Sequence, residues 1–207
     1  MPKTLENKWS KKLRRKKNPI IGLNWKGNRK DSEKIDRNIP PKLFERVTSS
    51  IDADFISLQR GAEPETTSGW IRNDHGQLQA EIHRIADSNS SDQFLEYAAI
   101  IANCDLIITP GTTVAHLAAA MGKPTWILLQ KNPEWRWGLD GSTTFWYPSA
   151  RLFRQQKQGD WEEVLEQVKQ SLIKQLERPS AETDPPGILQ RAKALARTFA
   201  EIRQRIK

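Results

Sequence analysis

"CDLIITPGTTVAHLAAAMGKPTWILL", Cys104 to Leu129, is the stretch that decides the fold. A short apolar run, Leu106–Thr109, stops at Pro-Gly-Thr-Thr. A helical pattern follows over Thr113–Met121, and a second apolar run, Thr125–Leu129, closes the segment. Gly122 stands where a helix end takes a left-handed residue, with Pro124 close behind. The span between the two runs is about the dozen residues that a parallel crossover needs. The stretch therefore reads as strand, helix, parallel strand.

The flanking sequence repeats this alternation. "NPIIGLNWKGN" reads as a strand over Ile20–Trp25 that ends in a polar loop, and "ADFISLQRG" as a second strand over Phe55–Leu58. "PPKLFERVTSSI" places Leu43, Phe44 and Val47 at helical spacing between them. Residues 60–90 carry little apolar periodicity, with "AEIHRI" as a short strand at most. "SSDQFLEYAAIIAN" is a helix capped by Ser91 or Asp92, and "ARLFRQ" is a last strand. "GDWEEVLEQVKQSLIKQLE" opens with a capping box, Asp160 and Glu163, and carries a stripe of Val164, Leu165, Val168 and Leu172. Short continuous apolar strands alternating with helices imply an α/β, Rossmann-like domain over residues 18–177. Its parallel sheet is covered by helices on both faces. Residues 178–187, "RPSAETDPPG", form a linker by composition. Beyond it, residues 188–207 place Ile188, Ala192, Leu195, Phe199, Ile202 and Ile206 on one face of an amphipathic helix, which covers this domain or pairs with a partner helix.

Charge is concentrated at one end. Of the formal +8 on 207 residues, residues 1–17 carry eight Lys or Arg against Glu6 alone, so the remainder is nearly neutral. That pattern predicts a solvated basic arm over residues 1–17. A contact with RNA or a membrane surface is the alternative. Nucleic acid is the lesser expectation because the body is almost neutral, whereas a nucleic-acid protein more often carries its positive charge as a stripe on the folded surface. Cys104 is the only cysteine, which excludes an intrachain disulfide and a thiolate metal cluster. No run reaches the roughly 18 apolar residues of a membrane span, and no apolar signal core opens the chain. A cytoplasmic protein is the expectation.

The Pro-Gly-Thr-Thr turn lies where open parallel sheets hold ligands, outside the carboxyl ends of the strands. It leads into a helix N-terminus, whose free N–H groups and dipole attract anions. Gly111 lets the backbone approach a ligand or adopt a dihedral closed to other residues. Thr112 and Thr113 either cap the helix or bond a phosphate oxygen, and the pattern leaves both open. His116 points away from the stripe Val114, Leu117, Ala118 and Met121, which argues against a core histidine and leaves a ligand contact or an exposed bystander. The positive helix end keeps its ring neutral, able to donate one hydrogen bond to a phosphate or a sugar hydroxyl. Lys26, Asn28, Arg29 and Lys30 follow the first strand at the same sheet edge. Neither a G-x-x-x-x-G-K-[ST] P-loop nor a G-x-G-x-x-G fingerprint occurs. Trp135, Trp137, Trp146 and Tyr147 are either a stacking platform for sugars or partners, or anchors holding their own loop. Asp140 and Glu134 are the carboxylates of that loop, but no catalytic residue is identified from the sequence.

"IGLNWKGN", "RNIP", "FISLQRG", "DLIITPGTTVAHLAAAMGKPTWILL", "PEWRWGLDGSTTFWYPSARLFRQ" and "GDWEEVLEQV" occur in this order. Together, over about residues 18–172, they resemble the C-terminal half of bacterial glycosyltransferases related to the heptosyltransferases, glycosyltransferase family 9. The version fused behind tetratricopeptide repeats is the most similar, and "LENKWSKKL" looks like the linker that precedes this half in longer relatives. The resemblance implies one half of a GT-B architecture that binds a nucleoside diphosphate sugar without a metal or other cofactor. It would place Gly111, Thr112, Thr113 and His116 at the donor's diphosphate and sugar, Lys26 and Asn28 at the phosphates, and Gln59 near the nucleotide. Relatives commonly carry Asp where this chain has Gly111. The acceptor site and catalytic base would lie in an N-terminal half supplied separately, docked on the C-terminal helix, which could instead self-associate. Hexosyl or heptosyl transfer to an acceptor hydroxyl is the implied reaction. A non-catalytic binding module that keeps the fold is the alternative.

Overall fold

Five parallel strands form the sheet: β1 (Ile20–Leu23), β2 (Asp54–Ser57), β3 (Leu106–Pro110), β4 (Thr125–Leu129) and β5 (Ala150–Arg154). Their order is β2-β1-β3-β4-β5. The structure is a computed structural model and describes residues 2–13, 18–27, 37–60 and 91–177. Every residue of β1 to β4 is buried. That explains their largely apolar runs, because a parallel sheet buried on both faces has no solvent side for polar residues. Asp54, Ser57, Thr109 and Thr125 are polar residues buried within it. β5 is one of the two edge strands and exposes Arg151, whose guanidinium lies over Trp126 and Phe153.

The α/β expectation therefore holds. The helices are α1 (Lys3–Leu13), α2 (Lys42–Thr48), α3 (Ser91–Ala102), α4 (Thr113–Ala120) and α5 (Trp161–Leu176). Local chemistry sets their ends. Asp160 accepts a bond from the Glu163 N–H at 3.1 Å, as its capping position predicts. Gly122 closes α4 in the left-handed region, at φ +73°. Its N–H donates to Ala119 O and that of Lys123 to Ala118 O, the paired bonds of a Schellman ending.

Two readings shift in detail. The side chains that α4 buries fully are Ala115, Ala118 and Ala119. Small residues let the helix come close to the sheet, while Val114, Leu117 and Met121 fill the flank against the core built by α1, α3 and β1–β3. The second concerns the N-terminus. A solvated arm does not describe residues 3–13: they form α1, with Trp9 and Leu13 at 0% and 3% exposure in that same core and Leu5 packed against it. Leu5, Trp9 and Leu13 recur every four residues, one stripe of a helix, while the lysines occupy the rest of its surface. Lys8 pairs with Glu96 on α3.

The chain divides into two compact units, residues 1–170 and 171–207. Of the second, only the end of α5 and Glu177 are described. Residues 14–17, the "AEIHRI" segment, the linker 178–187 and the amphipathic segment 188–207 lie outside the described residues. Among the described residues no helix is long and apolar enough to cross a membrane.

Candidate functional site at the carboxyl edge of the sheet

β1 connects towards β2 on one side, and β3 towards β4 on the other. The topological switch point, where open α/β sheets take their ligands, therefore lies between the carboxyl ends of β1 and β3. The loop from Asn24 to Gly27 leaves β1 there, and Pro110-Gly111-Thr112 leaves β3.

Asn24 ties these two ends together. Buried at 2% exposure, its Nδ2 donates to Thr109 Oγ1 and Thr112 Oγ1, both at 3.2 Å, and to Lys26 O at 3.4 Å. The Thr109 hydroxyl bonds Pro110 O at 3.0 Å and lies 3.1 Å from the Thr112 hydroxyl. Thr112 occupies the N-cap position of α4 with extended backbone, yet its side chain makes no capping bond. Its oxygen is turned back to Asn24 and Thr109 instead. The first N–H groups of α4, those of Thr113, Val114 and Ala115, therefore have no side-chain cap, although a threonine stands in position to supply one. An uncapped helix N-terminus leaves free N–H groups and the positive end of the helix dipole at this sheet edge.

Gly111 is required by close approach. A Cβ there would lie 2.7 Å from Trp137 Nε1. Trp137 belongs to the short 3-10 turn Trp135–Trp137, is 3% exposed and packs with Ala115, Ala119 and Ile127. Arg154 fixes the loop that carries it. Its guanidinium donates to Gly141 O at 2.8 Å and Gly138 O at 2.9 Å, and also to Trp137 O. The aromatic residues of the loop divide by role: Trp137 is an anchor, whereas Trp135 and Trp146 are 73% and 52% exposed.

His116 sits half-buried in the first turn of α4, stacked on Trp137 with ring centroids 4.9 Å apart and planes 23° apart. Its Nδ1 lies 2.9 Å from the Tyr147 hydroxyl. Burial, and then the nearby Arg136 guanidinium, lower its pKa below the ordinary value of 6.5, with Glu134 acting in the opposite sense. Glu134 bridges Arg136 and Arg37, each at 3.0 Å. The imidazole is thus kept neutral at pH 7. A lowered folded-state value means that, below about pH 6.5, the unfolded chain takes up a proton that the folded chain refuses. His116 therefore costs no stability above that pH, and the cost grows as pH falls from about 6.5 towards its folded pKa and is constant below it. Urea unfolding between pH 7.5 and 5 should show the chain losing stability more steeply than His116→Gln. Equal slopes would remove this linkage.

The other sequence-derived positions fall as follows. Lys26 is exposed on the β1 loop. Gln59 is buried, and its Oε1 accepts from the N–H groups of Trp25 and Lys26 at 3.2 and 2.8 Å. Its Nε2 donates to Arg60 O, so its amide is engaged in shaping the loop that carries Lys26. Gly111, Thr112 and His116 come together at the α4 N-terminus, where Thr113 is exposed. Asn28 lies outside the described residues. Sequence reasoning missed Asn24 and its tie across the switch point. A polar residue directly after an apolar strand was the available signal. Among the described residues no three His, Cys, Asp or Glu side chains gather as a metal site.

The chain is 28% identical over 154 residues to Protein FlbA of Caulobacter vibrioides, covering 74% of this chain and 25% of that protein. Its fold matches a glycosyl transferase family 9 structure from Veillonella parvula with a TM-score of 0.52 and 13% identity, over 84% of this chain and 53% of that one. It likewise matches ADP-heptose lps heptosyltransferase II of E. coli with a TM-score of 0.50 and 16% identity, over 86% and 54%. The chain thus spans about a quarter of the curated relative and about half of the solved structures. Residues 90–172, from α3 through the corner and into α5, match the family described as glycosyltransferase family 9 (heptosyltransferase).

Proposed function

We propose that this chain binds a nucleoside diphosphate sugar at the carboxyl edge of its sheet, as the donor-binding part of a glycosyl-transfer site. The observation that carries this reading is the uncapped N-terminus of α4 at the switch point, with the Thr112 hydroxyl turned away from it. The amides of Thr113, Val114 and Ala115 and the helix dipole would hold the diphosphate, with Lys26 on the facing loop as a point charge and no metal required. Neutral His116 would donate to a phosphate or sugar oxygen. In transfer of a hexosyl or heptosyl group to an acceptor hydroxyl, these fixed dipoles would stabilise the nucleoside diphosphate as it leaves. The match to the family over residues 90–172 supports the class of reaction. The acceptor site and base would come from a separate N-terminal half, and the C-terminal segment 188–207 is the proposed docking element.

Isothermal titration with UDP-, GDP- and ADP-sugars tests the reading. One nucleotide class should bind in the ordinary substrate range, about 1 µM to 1 mM. No heat from any of the three would sink it. The packing of Trp137 over Gly111 favours a second reading, a binding module that has lost catalysis. Binding without turnover, even with a supplied N-terminal half, is its signature.

A further inference from the structure

We infer that Tyr147 is a positioning residue that fixes the tautomer of His116. Its phenol O–H donates to Nδ1, so the ring carries its single proton on Nε2 and offers it to a ligand oxygen at the α4 N-terminus. The step rests on the donor-site reading only for the identity of that ligand. The geometry of the pair stands without it.

A neutral imidazole has one donor and one acceptor nitrogen, and the partner of one nitrogen decides the state of the other. Nδ1 is engaged by the Tyr147 hydroxyl at 2.9 Å. Among the described residues, that hydroxyl has no second partner. If Nδ1 carried the proton, the phenol O–H would be left without an acceptor there, and Nε2 would present a lone pair that repels an anion. With the proton on Nε2, both groups are satisfied and the free nitrogen becomes a donor. Nε2 has no partner among the described residues and is not a sealed buried atom, so it is open to an incoming group.

The surroundings hold this arrangement before any ligand arrives. Trp137 is a shelf under the ring at 4.9 Å, and Tyr147 meets it edge-on with centroids 5.7 Å apart. Tyr147 itself packs on the cluster of Ala115, Ala119, Ile127 and Leu152, and its carbonyl accepts the Ala150 N–H at 3.0 Å as β5 begins. The imidazole is thus fixed on two sides by residues 21 and 31 positions away, both carried by the loop that Arg154 pins. A ring so held meets its ligand with its donor already aimed, which reduces the ordering cost of binding.

Long-range 1H–15N spectra of the labelled full chain at pH 7.5 read the tautomer directly. The signal of His116 is identified among the three histidines by its loss in His116→Gln. The natural chain should show a single tautomer protonated on Nε2, and Tyr147→Phe a mixture of the two. A proton on Nδ1 in the natural chain would overturn the proposal, and so would a Tyr147→Phe spectrum identical to it. Should Tyr147→Phe fail to fold, the first spectrum decides alone. In the same samples, Tyr147→Phe should bind the nucleoside diphosphate sugar about twofold more weakly, the loss expected when about half of the rings keep the proton on Nε2. Unchanged affinity would overturn the positioning role. A chain that binds no such sugar refutes the donor reading instead, and the tautomer spectrum then decides the role of Tyr147.

Discussion

Gly111→Ala is expected to lower stability by about 1–3 kcal/mol, the usual cost of forcing a methyl into a packed site. The new carbon would lie 2.7 Å from Trp137 Nε1, and Trp137 has nowhere simple to go. It is wedged among Ala115, Ala119 and Ile127, stacked on His116, and its backbone carbonyl is held by Arg154. Trp137→Ala alone should cost more, about 3–5 kcal/mol, because it empties a buried indole-sized volume. The informative variant is the double one. With the indole gone, the alanine at 111 meets open space, so the double variant should be more stable than the two single losses added together, by about 0.5–3 kcal/mol. Urea unfolding of the four proteins measures this. Strict additivity would mean that Gly111 is glycine for a reason other than Trp137.

Asn24→Ala should cost about 1–3 kcal/mol, since it strips a buried donor from both Thr109 and Thr112. Its functional effect runs through Thr112. Released from Asn24, that hydroxyl can swing onto the first turn of α4 and cap it, recovering part of the lost stability. The same swing would occupy the amides offered to an anion, so affinity for the nucleoside diphosphate sugar should fall while α4 stays intact. Adding Thr112→Ala removes the intruding hydroxyl and should restore part of that affinity. An Asn24→Ala protein as stable as the natural chain would show that the tie across the switch point carries no load.

The frame of this molecule was legible because its signals are local. An apolar run as long as Thr125–Leu129, a glycine after α4 and an aspartate before α5 each act within a few residues. The site was legible only in part. That the β3–α4 corner faces the ligand edge follows from strand order, and Gly111, Thr112 and His116 do meet there. What shapes the corner arrives from far along the chain. Asn24 reaches Thr112 across 88 residues and Tyr147 reaches His116 across 31, closures that no local pattern encodes. The two threonines show the consequence. Capping and ligand binding were both open for Thr112, and the fold instead gives its hydroxyl to Asn24, which leaves the helix end bare. At the N-terminus the net charge of residues 1–17 outweighed a plain four-residue spacing of Leu5, Trp9 and Leu13. That spacing belongs to a helix with one buried stripe, and lysines around it do not prevent the burial.

Backbone amide spectra recorded during titration of the full chain with nucleoside diphosphate sugars test the corner most directly. Capture of the diphosphate by the bare end of α4 predicts the largest shifts at the amides of Thr113, Val114 and Ala115, with smaller ones at Lys26 and Gly27 across the switch point. Saturable binding whose shifts fall elsewhere, or spectra unchanged at millimolar sugar, would contradict it.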